Sequence, residues 1–130
     1  MKLLLDTQIL LWVALHPEFL PEKAKLLITD EKNELCFSVV SLWEVAIKNS
    51  LNRADFKVDP GTLRKGLLDR EYQEFSITGA HAVAVGGLPM LHKDPFDRLL
   101  IAQAKAEGIS LVTCDATIAE YPAPVILISR

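Results

Sequence analysis

Apolar residues gather into five short runs, Lys2 to Leu5, Leu35 to Val39, Phe75 to Ile77, Ile109 to Thr113 and Val125 to Ile128. None alternates cleanly with polar residues, which is how strands buried on both faces of a parallel sheet read. Between the runs, apolar positions return at helical spacing over Thr7 to Leu15, Pro21 to Lys32, Ser41 to Leu51, Thr62 to Tyr72, Ala80 to Val85 and Pro95 to Glu107, with a short turn near Ile118. The punctuation agrees with these limits. Asp59-Pro60-Gly61 reads as a turn and Gly86-Gly87 as a helix end, while Asp94, Pro95 and Gly108 read as the N-cap, first residue and C-terminal cap of the long helix. Strands alternating with helices predict a three-layer α/β fold, a five-stranded parallel sheet flanked by helices. Ligands of such sheets bind beyond the carboxyl ends of the strands, so acids that directly follow strands come first as candidates.

Asp6 follows Leu3-Leu4-Leu5 directly, and Asp115 follows the run that ends at Cys114. Each could equally be an ordinary helix N-cap. Two acids at matching positions on two strands, however, point to one place. Glu44 lies on a helix whose remaining circumference is mostly Leu42, Trp43, Val45, Ala46 and Ile47, so that helix is expected to be largely buried and Glu44 to face something specific. The bland alternative is an exposed Glu44 to Lys48 pair, worth about 0.3 to 0.5 kcal/mol. Asp97, third in its helix, suits the helix dipole, yet it shares a face with Leu100, Ile101 and Ala104 where a merely structural acid fits poorly.

Composition narrows the classes. The chain has 130 residues, half of them hydrophobic, and a net charge of -3, which suits one domain over residues 1–130 and does not advertise a polyanion partner. Asp6 and Gln8 interrupt the apolar start, no small-residue cleavage site follows, and no stretch approaches the roughly 18 apolar residues of a membrane span, so a cytoplasmic protein is expected. Cys36 and Cys114 lack metal-ligand spacing and read as reduced core residues.

Two carboxylates about 4 Å apart repel by roughly 4 kcal/mol at an effective dielectric near 20, so four gathered acids need a cation. Oxygen donors without accompanying His or Cys suit Mg2+ or Mn2+ rather than zinc.

The stretches LLLDTQILLW, SVVSLWEVAIK, HKDPFDRLLIAQA and LVTCDATIAEYP, in this order and across nearly the whole chain, resemble the PIN domain, and within it the VapC-like toxins of bacterial and archaeal toxin-antitoxin pairs. The resemblance implies that Asp6, Glu44 and Asp97 match the family's three central acids and Asp115 its more variable fourth. Thr7 and Thr113 match positions of small supporting hydroxyl residues. It further implies a Mg2+ or Mn2+ dependent endoribonuclease, commonly a homodimer, held in check by an antitoxin that inserts a segment into the active-site groove. Where many relatives carry a second acid or polar residue shortly after the fourth, this chain has Ala116, Thr117 and Ile118.

On this reading Asp6 and Asp97 ligate the principal metal, Glu44 binds it or a bridging water, and Asp115 helps hold a second metal or orients the nucleophile. Lys48 and Arg98, and beyond them Lys93 and Arg53, are candidates for flanking RNA phosphates, contacts that position without reading sequence. His92 could protonate the leaving oxygen, though a lone loop histidine reads by default as a bystander; His16 and His81 give no signal. Trp12, Trp43 and Phe96 are expected in the core rather than stacked on bases. Rival readings are a receiver-like module, which lacks its acidic pair and late lysine here, and a degenerate PIN-fold binding module without nuclease activity. No glycine-rich dinucleotide turn is present.

Overall fold

The computed structural model describes residues 1–51 and 57–128; Arg53 lies outside them. Five strands, β1 (Lys2–Leu5), β2 (Glu34–Ser38), β3 (Gln73–Phe75), β4 (Ser110–Thr113) and β5 (Val125–Leu127), form one all-parallel sheet in the order β3-β2-β1-β4-β5. The helices are α1 (Thr7–Leu15), α2 (Glu22–Thr29), α3 (Val39–Ser50), α4 (Pro60–Asp69), α5 (Gly79–Val85), α6 (Pro95–Glu107) and α7 (Ala116–Ala119). A 3₁₀ turn over Pro17–Phe19, which the periodicity did not signal, joins α1 to α2. The receiver order places β1 between β2 and β3, whereas here β1 lies between β2 and β4. That topology removes the receiver-like alternative.

Successive residues of the central strand serve opposite faces, as strand geometry requires. Leu3 and Leu5 pack with Ile9, Leu10 and Trp12 of α1, Phe37 of β2 and Leu63 and Leu67 of α4. Leu4 packs on the other side with Cys36, Leu111 and α6 residues Leu100, Ile101 and Ala104. This explains the missing alternation in the sequence, because both faces of β1 are buried. Among the described residues, no helix is long and apolar enough to cross a membrane.

Several element ends differ from the apolar runs because capping decides them. Ser38 leaves the strand to accept the Val40 amide at 3.1 Å, so α3 starts at Val39 where the run suggested strand. Asp59 accepts the Thr62 amide at 2.8 Å and sets the start of α4 at Pro60. That helix ends before Glu71, whose φ of 64° ends the helical path, and β3 begins two residues before the run at Phe75. Asp94, Pro95 and Gly108 bound α6 as expected, with Asp94 Oδ1 accepting the amides of Phe96 and Asp97 at 2.8 and 3.2 Å.

Gly108 has φ 67° with nothing within 4 Å of an added Cβ, so a side chain there meets backbone strain alone. Gly108→Ala is expected to lower stability by about 1–2 kcal/mol. Gly79→Ala in α5, equally open but with an ordinary φ, should be neutral or stabilise by up to about 1 kcal/mol. Urea melts of the two variants check the contrast.

Candidate metal centre at the carboxyl edge of the sheet

β1 and β4 are neighbours in register, with Leu5 opposite Val112, and the Asp6 amide donates to the Val112 carbonyl at 3.1 Å. Chain continuation then places Asp6 and Asp115 at the same edge, where connections diverge to either side of the sheet. Each acid also caps the helix that follows. Asp6 Oδ1 accepts the Ile9 amide at 3.0 Å and Asp115 Oδ1 the Thr117 amide at 2.8 Å. Capping and the candidate site are therefore two uses of the same carboxylates.

Asp6 and Glu44 form an inner, buried tier. Thr113 Oγ1 donates to Asp6 Oδ2 at 2.5 Å, tying the end of β4 to the end of β1. Thr7 Oγ1 donates to Glu44 Oε1 at 2.7 Å and lies 2.9 Å from Ser41 Oγ. Lys48 Nζ meets Glu44 Oε2 at 2.7 Å. The expected i,i+4 pair exists, but around a carboxylate only 4% exposed rather than on the surface. Ser41 enters here as a supporting residue; its place one helical turn before Glu44 was the signal for it.

Asp97 and Asp115 form an outer tier joined by His92, whose Nε2 lies 3.1 Å from Asp97 Oδ2 and 3.0 Å from Asp115 Oδ2. His92, read by default as a bystander, is thus placed between two of the candidate acids. Spacing along the chain hid it, because the loop that carries His92 folds back over α6 and α7. Among the described residues, His92, Asp97 and Asp115 are the set whose ligand-capable atoms all lie within 4.8 Å of one another; Asp6 and Glu44 face this set from further away.

The two tiers nevertheless share one field. Burial pushes the Asp6 carboxyl up to about 6, the Thr113 and Ile9 hydrogen bonds pull it down, and the charges of Glu44 and Asp115 raise it again. Burial pushes Asp97 up to about 7, helped by Asp94, Glu44 and Asp6 and opposed by His92. Burial favours the neutral form of Asp115, but the His92 and Thr117 hydrogen bonds outweigh it and hold the carboxyl below its ordinary range. Burial first, and the charges of neighbouring acids after it, thus disfavour the ionised forms of Asp97 and Asp6. Hard oxygen donors, oriented by threonine hydroxyls and driven toward protonation by burial and by one another, fit a divalent cation of the Mg2+ or Mn2+ kind.

Two other expectations change. Arg98 is no phosphate contact. It is 8% exposed, with Nη1 donating to the Pro89 carbonyl at 2.9 Å and Tyr121 Oη at 3.1 Å, and Nη2 to the Val85 carbonyl at 3.1 Å. Its place in the second turn of α6 turns it inward, beneath the Leu88 to Asp94 loop. Trp43 is not a core residue either; it is 55% exposed, with Phe96 edge-on at 4.9 Å. With Ile47 and Leu51, at successive i,i+4 steps, it forms an exposed apolar stripe along α3, beside Val40 and Glu44 and away from Val45. Trp12 is buried as expected, Cys36 is buried and Cys114 is half-buried at the edge, while Lys93 is exposed.

The PIN domain family model matches residues 3–124. The chain belongs to the PIN-domain family. Solved structures share the fold along its whole length. A chain of VapBC2 from Rickettsia felis, bound to a promoter DNA fragment, aligns with TM-score 0.72 and 19% identity over 100% of this PIN domain and 99% of its own length. DNA-bound VapBC from Salmonella typhimurium aligns with TM-score 0.65 and 15% identity over 99% and 98%. VapBC-5 from Mycobacterium tuberculosis, a member of the VapBC family of toxin-antitoxin systems, gives 0.60 and 16% over 99% and 98%. Comparison of the sequence with curated proteins finds no match.

The raised acids make a signed prediction for the metal-free PIN domain. Unfolded aspartates ionise near 4, whereas Asp6 and Asp97 do so at about 6 and about 7 in the fold. Their contribution to stability is therefore fully present below about pH 4 and is lost as the pH rises through about 7. Wild-type Tm in EDTA should fall between about pH 5 and pH 8, less so for Asp97→Asn, which should also be the more stable at the upper end. A wild-type Tm that climbs over this range, or identical slopes for the two proteins, would contradict the assignment.

Proposed function

We propose that this PIN domain is a Mg2+- or Mn2+-dependent endoribonuclease, the toxin of a toxin-antitoxin pair. The observation that carries the reading is the convergence of four acids at one sheet edge, two of them forced up to about 6 and 7 by burial and mutual charge. A fold gains nothing in stability from such a cluster, whereas a phosphodiesterase needs one.

In the proposed reaction Asp6, Asp97 and Asp115 hold the cation, which would neutralise charge on the phosphate oxygens and acidify a coordinated water. Thr113 keeps Asp6 in its rotamer, and Thr7 with Lys48 keeps Glu44 pointing at the cluster, so the donors are ordered before a ligand arrives. Glu44 contributes charge from the second rank, its two oxygens already engaged. Lys48 acts chiefly as its counter-ion, with phosphate contact a secondary use. An acidic chain can then engage anionic RNA because the cation reverses the sign of the field at the groove.

Similar structures being VapBC assemblies supports an antitoxin partner, and the exposed Trp43, Ile47 and Leu51 stripe is a surface that an antitoxin segment or a second copy of the chain would cover. The degenerate-module alternative keeps the partner and drops the chemistry, and the assay below separates the two.

Purified protein incubated with mixed RNAs should cleave only with Mg2+ or Mn2+ present. Asp6→Asn and Asp97→Asn should each lose at least about 100-fold in rate, the scale at which removing one transition-state charge contact registers. Cleavage that survives EDTA, or equal rates in wild type and both variants, rejects the mechanism.

A further inference from the structure

His92 is more firmly held than a loop side chain needs to be. Its backbone N–H donates to Tyr121 Oη at 2.8 Å, and that oxygen also accepts from Arg98 Nη1 at 3.1 Å. Arg98 in turn grips the carbonyls of Pro89 and Val85, so the buried guanidinium fixes the loop at both ends of its approach to the site. The ring is fixed separately. The Asp94 amide donates to Nδ1 at 3.2 Å, which occupies the Nδ1 lone pair and leaves the ring proton on Nε2, the atom facing Asp97 and Asp115.

That tautomer decides between two uses of the imidazole. A metal-ligating histidine offers a lone pair and donates its other ring N–H to a neighbour; His92 has the opposite arrangement, with an amide donor against Nδ1 and an N–H directed into the acid cluster. We propose that His92 is a substrate-binding residue whose Nε2–H donates to a phosphate oxygen of the bound RNA. In the metal-free protein the carboxylates of Asp97 and Asp115 accept that hydrogen bond. Were a cation to take those oxygens, the Nε2–H, held by the loop and by the Asp94 amide, would be left to donate to a phosphate oxygen brought to the same edge. The Arg98 guanidinium is engaged by the Pro89 and Val85 carbonyls and Tyr121, and Lys48 is engaged first by Glu44.

The inference rests on the ribonuclease reading, and its test separates the two. His92→Leu removes the donor, and His92→Gln restores an amide N–H at similar reach. Three readouts are compared: Mn2+ affinity by electron paramagnetic resonance, binding of a mixed-sequence RNA oligonucleotide with Ca2+ in place of Mn2+, and single-turnover cleavage with Mn2+. His92→Leu should leave Mn2+ affinity within about threefold and weaken RNA binding about tenfold, the worth of one hydrogen bond to a charged acceptor. Cleavage should fall at least as far, and His92→Gln should recover part of both losses. Nitrogen-15 shifts of the Mg2+-loaded protein should report an Nε2-protonated ring. A ring deprotonated at Nε2, together with Mn2+ affinity lost in His92→Leu, would make His92 a metal ligand and overturn the inference. Unchanged RNA binding and cleavage in His92→Leu would overturn it as well. Wild type that neither binds nor cleaves RNA removes the ribonuclease reading and this inference together.

Discussion

The structure depends on one electrostatic constraint, the confinement of several carboxylates to a partly dry edge between β1 and β4. Two carboxylates at close range cost on the order of 4 kcal/mol even at an effective dielectric of 20, a large fraction of the 5–15 kcal/mol that holds a typical domain together. The protein meets this cost locally. Asp6 and Asp115 each satisfy one oxygen as a helix cap, Thr113 and Thr7 donate hydroxyls, Lys48 neutralises Glu44, and His92 joins the outer pair. Asp97 has less of this support and carries the larger rise.

The rest of the fold reads as a mounting for that edge. Leucines 3 to 5 are wholly buried, which anchors β1 from both faces and leaves Asp6 little freedom to retreat. β4 lies beside it in register, and the Thr113 hydroxyl carries the strand pairing one step further into side chains. On the α6 side, Arg98 and Tyr121 bind the Leu88 to Asp94 loop down over the helix start, so Asp94 can cap α6 and present its amide to His92 at once. Positional order at the site comes from strands and helix starts rather than from free loops, as a preorganised site requires.

Much of this was legible in the sequence, for identifiable reasons. Uninterrupted apolar runs reported a sheet buried twice over, and Asp94-Pro95 with Gly108 marked α6 because caps leave chemical signatures. Acids just after strands reported the site edge. Arg98 was misread because a guanidinium looks the same in sequence whether it meets phosphate or three oxygens of its own chain. Trp43 was misread because helical periodicity tells which residues share a face, not whether anything covers it. His92 was undervalued because its partners are brought to it by tertiary folding, 5 and 23 positions along the chain. The ends of β2 and α4 shifted because Ser38 and Asp59 act as caps, a choice the apolar pattern does not record.

Burial and mutual charge drive Asp6 and Asp97 toward their protonated forms, and a divalent cation that joined the cluster would displace those protons. Calorimetric titration of the metal-free protein with Mn2+ at about pH 6, in buffers of different ionisation enthalpy, measures both the binding and the protons it expels. With Asp6 and Asp97 rising to about 6 and about 7, saturable binding that releases on the order of one proton is expected, both diminished in Asp97→Asn. Absence of binding, or binding with no proton released in wild type, would contradict that expectation.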